Sequence, residues 1–207
     1  SPRPGPPLPE PRPAGAPRSF HVLAKPTGAV CNLDCTYCFF LSKAALYPGS
    51  AFRMADDVLE QYIRQLLEAQ ADGHVTIAWQ GGGPTLMGLD FFRRAMALVE
   101  RHRRPGDTIE HVIQTDGTRL DEEWCSFFRE HGFLVGLSMD GPPGMHDAYR
   151  RDKGGAPTHA GVLDAARLLA RGGVPFNILC TVHAANADRP LELYRYFRDE
   201  VGARFVQ

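Results

Sequence analysis

The sequence predicts an α/β protein in which helices flank a parallel sheet. Six short apolar runs alternate with five amphipathic helical patterns from residue 20 to residue 207, and such alternation is typical of parallel strands joined by crossover helices. The runs are almost continuously apolar, as expected for strands that are buried on both faces. An open doubly wound sheet and a partial barrel both fit this pattern.

Each element is predicted from its own local signals. The first helix, 56–70, has apolar pairs that recur every four residues and ends at Gly73. Asp121, Thr158 and Asn186 are the predicted N-caps of the third, fourth and fifth helices. The predicted strands cover residues 20–24, 75–79, 109–114, 133–138, 175–182 and 203 onward. The other four predicted helices cover residues 89–103, 121–132, 158–173 and 186 onward.

Composition excludes several classes of protein. The net charge is −1, with 43% hydrophobic and 23% charged residues, so no global charge favours nucleic acid or an anionic membrane. No apolar run approaches the roughly 20 residues that span a bilayer, and no apolar signal-peptide core is visible. Five cysteines, three of them crowded together, do not resemble a secreted disulfide framework. We therefore expect a cytoplasmic protein that binds neither nucleic acid nor membrane.

The chain divides into two unequal parts. Residues 1–18 contain eight prolines and almost no apolar side chains. Such a segment cannot bury enough surface to offset its ordering entropy, so we predict a disordered Pro-rich tail. Residues 19–207 are predicted to form one domain, whose pattern stops within its sixth strand.

The main chemical signal is the run Cys31-Asn32-Leu33-Asp34-Cys35-Thr36-Tyr37-Cys38. Its C-x3-C-x2-C spacing, directly after the first strand, suits soft sulfur ligands that converge on a metal or an iron–sulfur centre. A structural zinc site needs a fourth ligand, and Cys125 and Cys180 stand alone. Three thiolates suit a four-iron cluster that keeps one iron open. Redox thiols, buried core cysteines and a zinc-binding module are the alternatives.

Further polar and glycine-rich positions follow the predicted strands. Chemistry in parallel α/β folds lies at the carboxyl ends of the strands. The cysteine run, the glycine run 81–83, Gln114, Ser138 and Thr181 all occupy such ends. The sequence therefore predicts one site at that edge of the sheet.

The cysteine spacing with an aromatic residue before the third cysteine, followed by a glycine-rich segment after the second strand, resembles the radical S-adenosylmethionine (radical SAM) enzymes. The resemblance implies a partial (β/α)6 TIM-like barrel. It also implies that Cys31, Cys35 and Cys38 hold one [4Fe-4S] cluster. S-adenosylmethionine would bind the open iron and be cleaved reductively to a 5′-deoxyadenosyl radical, in an oxidoreductase whose cofactor carries the difficult chemistry.

Longer motifs are similar to those of the anaerobic sulfatase-maturating enzymes, namely 20–26, 79–82, 84–88, 140–142 and 146–150. That family oxidises a cysteine or serine of a sulfatase to formylglycine. The resemblance implies a sulfatase, or another protein or peptide, as substrate and an electron donor such as flavodoxin or ferredoxin. A peptide-modifying radical SAM relative and a non-catalytic cluster-binding remnant are the alternative functions.

The same resemblance assigns four cofactor contacts. Tyr37 would pack beside the cluster and contact the adenosine moiety, and Gly82 would let the backbone approach the methionine end. Ser138 would hydrogen-bond the ribose or carboxylate end, and Arg150 would pair with the cofactor carboxylate. Ordinary structural roles are the alternative for each.

The sequence departs from the family pattern at two positions and in its extent. Gly83 stands where the family has Glu, which accepts hydrogen bonds from the amino group of S-adenosylmethionine, and Asp116 stands where Asn is usual. The family also continues into a cysteine-rich domain that carries two auxiliary clusters and the catalytic base. No catalytic base is therefore assigned within the 207 residues, and we expect a core that binds the cofactor more weakly.

Overall fold

The computed structural model describes residues 19–207, and the predicted Pro-rich tail, 1–18, lies outside the described residues. Five strands alternate with helices, as expected from the apolar runs. The strands are β1 (Val22–Ala24), β2 (His74–Trp79), β3 (Thr108–Thr115), β4 (Phe133–Ser138) and β5 (Phe176–Leu179). The helices are α1 (Asp56–Ala69), α2 (Leu89–His102), α3 (Glu122–Glu130), α4 (Pro143–His146), α5 (His159–Arg171) and α6 (Pro190–Arg195). A π-helical segment, Tyr196–Val201, and two 3-10 segments, Leu41–Leu46 and Pro84–Met87, complete them.

The strand order decides between the two predicted architectures. All neighbouring strands are parallel, and they lie in the order of the sequence, β1-β2-β3-β4-β5. A doubly wound sheet would reverse direction at a switch point, whereas a barrel adds each strand beside the previous one. The sheet is therefore wound as a partial barrel.

The predicted sixth strand is present only as a short pairing beside β5. Ile178 and Val206 form a single parallel bridge. Backbone hydrogen bonds connect Ile178 N to the carbonyl of Phe205 at 2.9 Å and Cys180 N to the carbonyl of Gln207 at 2.8 Å. The last residues of the chain therefore pair with β5 on the expected side of the sheet, but the pairing is too short to form a regular sixth strand.

The core lies between the sheet and its helices. Alternate side chains of β2, Val75, Ile77 and Trp79, are buried in the same cluster as Leu59 of α1 and Phe92 of α2. This period of two follows from the strand geometry, which sends successive side chains to opposite faces. The helices therefore cover one face of the sheet, and the other face forms the inside of the partial barrel.

The longest helices have amphipathic patterns. Helices α1 and α2 contain 14 residues each and bury one apolar stripe against the sheet. Among the described residues, no helix has the length and apolar character needed to cross a membrane.

Two of the three predicted N-caps need correction. Asp121 caps α3 as expected, since its Oδ1 accepts a hydrogen bond from Trp124 N at 2.9 Å. Thr158 stands at the start of α5, but Asp147 Oδ1 accepts the hydrogen bonds from the backbone of Thr158 and the next residue, at 2.9 Å each. The prediction for Asn186 was wrong, because α6 begins only at Pro190 and the Asn186 amide binds loop backbone instead.

Candidate cofactor site

One cavity at the carboxyl edge of the sheet brings together the predicted site residues. Its wall includes the three thiols of the cysteine run, the glycine loop after β2, the end of β3 with Asp116, and the end of β4. All seven residues assigned by resemblance line it: Cys31, Cys35, Tyr37, Cys38, Gly82, Ser138 and Arg150. The parallel topology explains this meeting, since the carboxyl ends of neighbouring strands share one edge.

The glycine loop is packed directly against the cysteine loop. Gly82 N donates a hydrogen bond to the Gly28 carbonyl, and Gly83 N donates to the Val30 carbonyl, each at 2.9 Å. A Cβ placed on Gly82 would lie 2.0 Å from the Val30 carbonyl oxygen, which no side chain can occupy. The absence of a side chain at Gly82 is therefore required by the protein itself, next to the residue that precedes Cys31.

A second segment holds the cysteine loop from the other side. Asp34 N donates to the Arg151 carbonyl at 2.8 Å, and Thr36 N donates to the Tyr149 carbonyl at 3.0 Å. Leu33, which is buried, forms an isolated antiparallel bridge with Asp152. The loop is thus fixed between the glycine loop and the segment after α4, a support that the sequence alone did not indicate.

The three thiols are free and partly buried. Burial is the main cause that raises the pKa of Cys31, and burial raises the pKa of Cys35 to about 11. Both thiols are therefore protonated at neutral pH until a metal displaces the proton. Within residues 19–207, no group of three His, Cys, Asp or Glu side chains is arranged to hold a single metal ion. All three thiols line the same cavity.

Asp140 is the buried centre of the polar network beside the thiols. Its carboxylate is fully buried and accepts hydrogen bonds from Arg150 Nε at 2.8 Å and Nη2 at 3.1 Å. Thr181 N donates to it at 3.0 Å, and His183 Nε2 lies 3.5 Å away. Burial alone would raise the pKa of Asp140, but the charge of Arg150 and these hydrogen bonds hold the pKa below its usual value. Asp140 is therefore an anion in the folded protein.

The pairing with Asp140 alters the role predicted for Arg150. Two of its nitrogens are engaged by the carboxylate, and within the described chain Nη1 has no hydrogen-bond partner. Burial opposes the charge of Arg150, yet Asp140 outweighs that effect and the pKa is raised. Arg150 is thus a fixed cation in the wall of the cavity, and a contact with a cofactor carboxylate stays a prediction.

Tyr37 is oriented by the same carboxylate. Its hydroxyl donates to Asp140 Oδ2 at 2.6 Å, and its ring lies 5.8 Å from the Tyr149 ring and 5.9 Å from the His183 ring. Burial raises the pKa of its hydroxyl, so the phenol stays neutral. The tyrosine of the cysteine run is therefore locked in place by its hydroxyl, and its ring is the part that can meet a ligand.

The His146 ring is hydrogen-bonded to the backbone of Asp140. Asp140 N donates to His146 Nδ1 at 3.2 Å, which makes Nδ1 the acceptor and assigns the proton to Nε2, 3.1 Å from the Thr158 hydroxyl. That hydroxyl donates to the Arg150 carbonyl at 2.9 Å. Burial, with the charge of Arg150, lowers the pKa of His146 to about 4. The neutral imidazole therefore connects the backbone of Asp140, through the Thr158 hydroxyl, to the carbonyl of Arg150.

The two departures from the family pattern lie close to each other. Asp116 Oδ1 accepts hydrogen bonds from Thr118 N at 2.9 Å and Thr118 Oγ1 at 2.6 Å, and Asp116 Oδ2 lies 4.0 Å from Cys31 Sγ. Asn32 Nδ2 donates to the same threonine hydroxyl at 2.7 Å, while Asn32 Oδ1 is buried and has no hydrogen-bond partner among the described residues. A Cβ at Gly83 would lie 3.1 Å from that oxygen. A small adjustment of Asn32 would thus admit a side chain at position 83.

The remaining predicted positions lie at the mouth and wall of the cavity. Ser138 is 6% exposed, and its hydroxyl forms no hydrogen bond within residues 19–207, so it is available to a ligand. Gln80 Nε2 donates to Gln114 Oε1, which joins the ends of β2 and β3. Both glutamines line the cavity with Thr181.

Three residues of the site were not identified as such from the sequence. Asp140 was noted only as the first residue of the motif 140–142, Asn186 was predicted to cap a helix, and His183 belonged to no motif. Asn186 Nδ2 donates to the Asp140 carbonyl at 3.2 Å and to the Thr181 carbonyl at 3.0 Å. The usable signal for the ion pair was an acid and an arginine ten residues apart, each within a motif shared with the family.

Residues 26–197 match the Radical SAM superfamily. The serine-type anaerobic sulfatase-maturating enzyme of Bacteroides thetaiotaomicron is 41% identical over 191 residues, which are 92% of this chain and 46% of that protein. The cysteine-type enzyme of Clostridium perfringens is 43% identical over 180 residues, 86% of this chain and 48% of that protein. The chain therefore spans about half the length of these curated relatives.

Solved structures agree with the sequence comparison. Native anSMEcpe with bound AdoMet and Cp18Cys peptide superimposes with a TM-score of 0.81 at 41% identity, covering 90% of this chain and 49% of that chain. Streptococcus suis SuiB bound to the precursor peptide SuiA has a TM-score of 0.66 at 14% identity, which is a likeness of fold alone. From the match over residues 26–197, the chain belongs to the radical SAM superfamily.

Proposed function

We propose that this chain is the S-adenosylmethionine-cleaving core of an oxidoreductase related to the sulfatase maturases. The observation that carries the proposal is the single cavity in which three free thiols meet Tyr37, Gly82, Ser138 and Arg150. The similarity to maturases at about 40% identity supports it over the alternatives of a peptide-modifying radical SAM relative and a non-catalytic cluster-binding remnant.

The donor set fits an iron–sulfur cluster. A [4Fe-4S] cluster takes one thiolate on each ligated iron, so its cysteines surround a volume instead of a point. Cys31, Cys35 and Cys38 line the cavity, and the described residues of its wall include no fourth Cys or His, which favours the cluster over a structural zinc site. When bound, the cluster with S-adenosylmethionine would supply the electron and the radical that remove a hydrogen atom from the substrate.

The chain's own residues would bind and orient the sulfonium cofactor. Arg150 offers the Nη1 edge of a cation whose position is held by Asp140, and a fixed guanidinium suits a carboxylate. The unpartnered Ser138 hydroxyl is available to a ribose or carboxylate oxygen. The Tyr37 ring, held by its hydroxyl, can border the adenosine. Because these groups are already positioned, binding would cost little conformational entropy.

The substrate that we propose is a protein or peptide containing the cysteine or serine to be oxidised, as in a sulfatase. Support comes from the relatives, which are named as cysteine-type and serine-type maturases, and from anSMEcpe, which is described with a bound Cp18Cys peptide. A one-electron donor such as flavodoxin or ferredoxin would reduce the cluster. We place the activity in the cytoplasm, where thiols stay reduced.

Anaerobic reconstitution with iron and sulfide, followed by dithionite and S-adenosylmethionine, tests the proposal. We expect a brown protein that forms 5′-deoxyadenosine and methionine. A filled cluster that yields no 5′-deoxyadenosine would favour the non-catalytic remnant. Colourless protein with stoichiometric zinc would favour the zinc-binding module. A maturation assay with a sulfatase peptide that contains the cysteine or serine then asks whether the chain by itself oxidises a substrate.

A further inference from the structure

A second groove lies beside the thiol cavity and shares three wall residues with it. Lys25, Phe39 and Phe40 line both. Phe39 is the residue directly after Cys38, and its side chain is 77% exposed. The groove continues over the 3-10 segment Leu41–Leu46 towards α1. We call this surface the 39–58 groove, since its other lining residues lie mainly within that range.

The surface of the groove is both apolar and basic. Leu46 is 65% exposed and Tyr47 is 61% exposed, and large neighbouring apolar side chains on a surface mark an interaction site. Its fourteen lining residues include the three cations Lys25, Lys43 and Arg53 and no carboxylate. Asp56 and Asp57 begin α1 close by but do not line the groove. A partner that fits this surface has exposed apolar side chains ringed by acidic ones.

The groove also has a defined shape. Phe52 has a positive φ of 48°, which is unusual for a bulky residue, and a Cβ on Gly28 would lie 2.6 Å from its ring. Lys25 Nζ lies 4.2 Å from the centre of the Phe40 ring, and Arg53 donates to the carbonyls of Leu86 and Met87 at 3.1 Å and 3.0 Å. Lys43 is exposed and forms no ion pair within residues 19–207, so it can meet a partner.

We propose that the 39–58 groove docks a small acidic electron-transfer protein that reduces the centre held by the three cysteines. The inference rests on the proposed function, because only a redox centre needs such a partner. One electron leaves the reduced flavin or iron–sulfur group of the donor and enters the cluster, and no bond is formed or broken. Phe39, the residue after Cys38, lines both the groove and the thiol cavity, so a donor docked in the groove would lie beside a ligand of the centre. Transient redox complexes use small interfaces steered by opposite charge.

The double variant Lys43→Glu/Leu46→Ser, at two groove residues that do not line the thiol cavity, tests this surface against a matched control, Leu191→Ser/Arg195→Glu on α6, where both side chains are also exposed. The probe is an acidic flavodoxin. Two quantities are measured. The first is the Kd of oxidised flavodoxin for the cluster-free chain at low and high salt, and the second is the stopped-flow rate of cluster bleaching by flavodoxin hydroquinone. We expect the groove variant to weaken binding and slow bleaching by roughly tenfold. The control should match the unmodified chain, and salt should weaken binding.

Reduction by dithionite separates the two proposals. A small reductant needs no docking surface, so both variants should bleach with dithionite like the unmodified chain. If dithionite bleaches nothing, the proposed function fails, while the Kd comparison on the cluster-free chain still decides the docking surface. Equal flavodoxin binding and bleaching by groove variant and control would overturn the docking proposal. So would self-association of the chain that the groove variant abolishes, because the occupant would then be a second copy.

Discussion

Gly82 lies against the carbonyl oxygen of Val30 so closely that a Cβ would be 2.0 Å from it. This contact joins the loop after β2 to the residue before Cys31, and two backbone hydrogen bonds of 2.9 Å reinforce it. The position of the first cysteine therefore depends on a residue about fifty positions later in the chain. A glycine that the motif assigns to the cofactor has a structural requirement of its own.

Replacing Gly82 by alanine should displace the cysteine loop. The added methyl group meets backbone atoms that have no freedom to move, and overpacking of this kind costs on the order of 1–3 kcal/mol. We expect a lower denaturation midpoint and less iron retained after reconstitution. Gly83→Ala is the matched control, since its Cβ meets only the flexible ends of Asn32 and Leu86 at 3.1 Å and 3.3 Å. Equal iron retention by both variants would contradict the proposed contact.

Introducing glutamate at Gly83 should tighten the binding of S-adenosylmethionine. A carboxylate there can accept the charge-assisted hydrogen bonds that the family pattern provides, worth about 1.5–3 kcal/mol, or roughly one to two decades in Kd. The Kd of the reconstituted Gly83→Glu protein is measured by equilibrium dialysis. Gly144→Glu, at an exposed position with nothing within 4 Å, controls for added charge. If Gly83→Glu leaves the Kd unchanged, another group of the protein already binds the amino group of S-adenosylmethionine.

Each motif cysteine should be needed for iron. Cys31→Ser, Cys35→Ser and Cys38→Ser should each lower the iron content and the visible absorbance after reconstitution, because the hard hydroxyl is a poor ligand for iron in a cluster. Cys125 and Cys180 lie outside the cavity, so Cys125→Ser and Cys180→Ser should retain the iron and the visible absorbance. Iron and acid-labile sulfide analysis gives the comparison. Full iron loading in any of the first three variants would remove that residue from the ligand set.

Breaking the buried ion pair should destabilise the fold. Asp140→Asn leaves the Arg150 guanidinium without its counter-charge in a buried position, which typically costs about 3–5 kcal/mol. Urea titration followed by circular dichroism measures the loss. Asp199→Asn is the control, since its pair with Arg198 is exposed and should contribute nothing measurable. If the two variants unfold at the same urea concentration, the buried pair is not a stabilising element.

Stability should fall as the pH drops from about 6.5 towards 4. Burial, with the charge of His131, lowers the pKa of His111 to about 4, so the unfolded chain binds a proton in this window that the folded chain does not. The difference favours unfolding as pH falls, by up to about 2 kcal/mol at pH 5 for one histidine, and it vanishes above the unfolded pKa. Urea midpoints at pH 7 and pH 5 measure it.

The control for this prediction is His111→Leu, which removes the titrating group. This variant should lose less stability between pH 7 and pH 5 than the unmodified chain, because one of the described histidines whose pKa is lowered by burial is gone. His146, with a pKa of about 4, and His159 would still contribute. His111 stacks on Phe133 with ring centres 5.1 Å apart, so the variant is compared with itself across pH, not with the parent at one pH. Parallel pH curves would contradict the assignment.

The sequence alone determined the features that local periodicity and spacing encode. The apolar runs predicted β2 and β4 to within a residue and the caps predicted the start of α3. The cysteine spacing and the strand ends placed Cys31, Gly82 and Ser138 on one edge. These predictions succeed because a buried face or a turn depends on residues that are neighbours in the chain.

Only the tertiary structure decided the contacts between distant parts of the chain. It chose the barrel-like strand order, engaged Arg150 with Asp140, and used Asn186 to fix a loop instead of capping a helix. Such pairings depend on which buried polar group finds its partner once the core has packed, and a sequence pattern carries no distance between residues far apart. A buried charge must be compensated wherever the fold brings a partner within reach, and that partner is known only after the chain has folded.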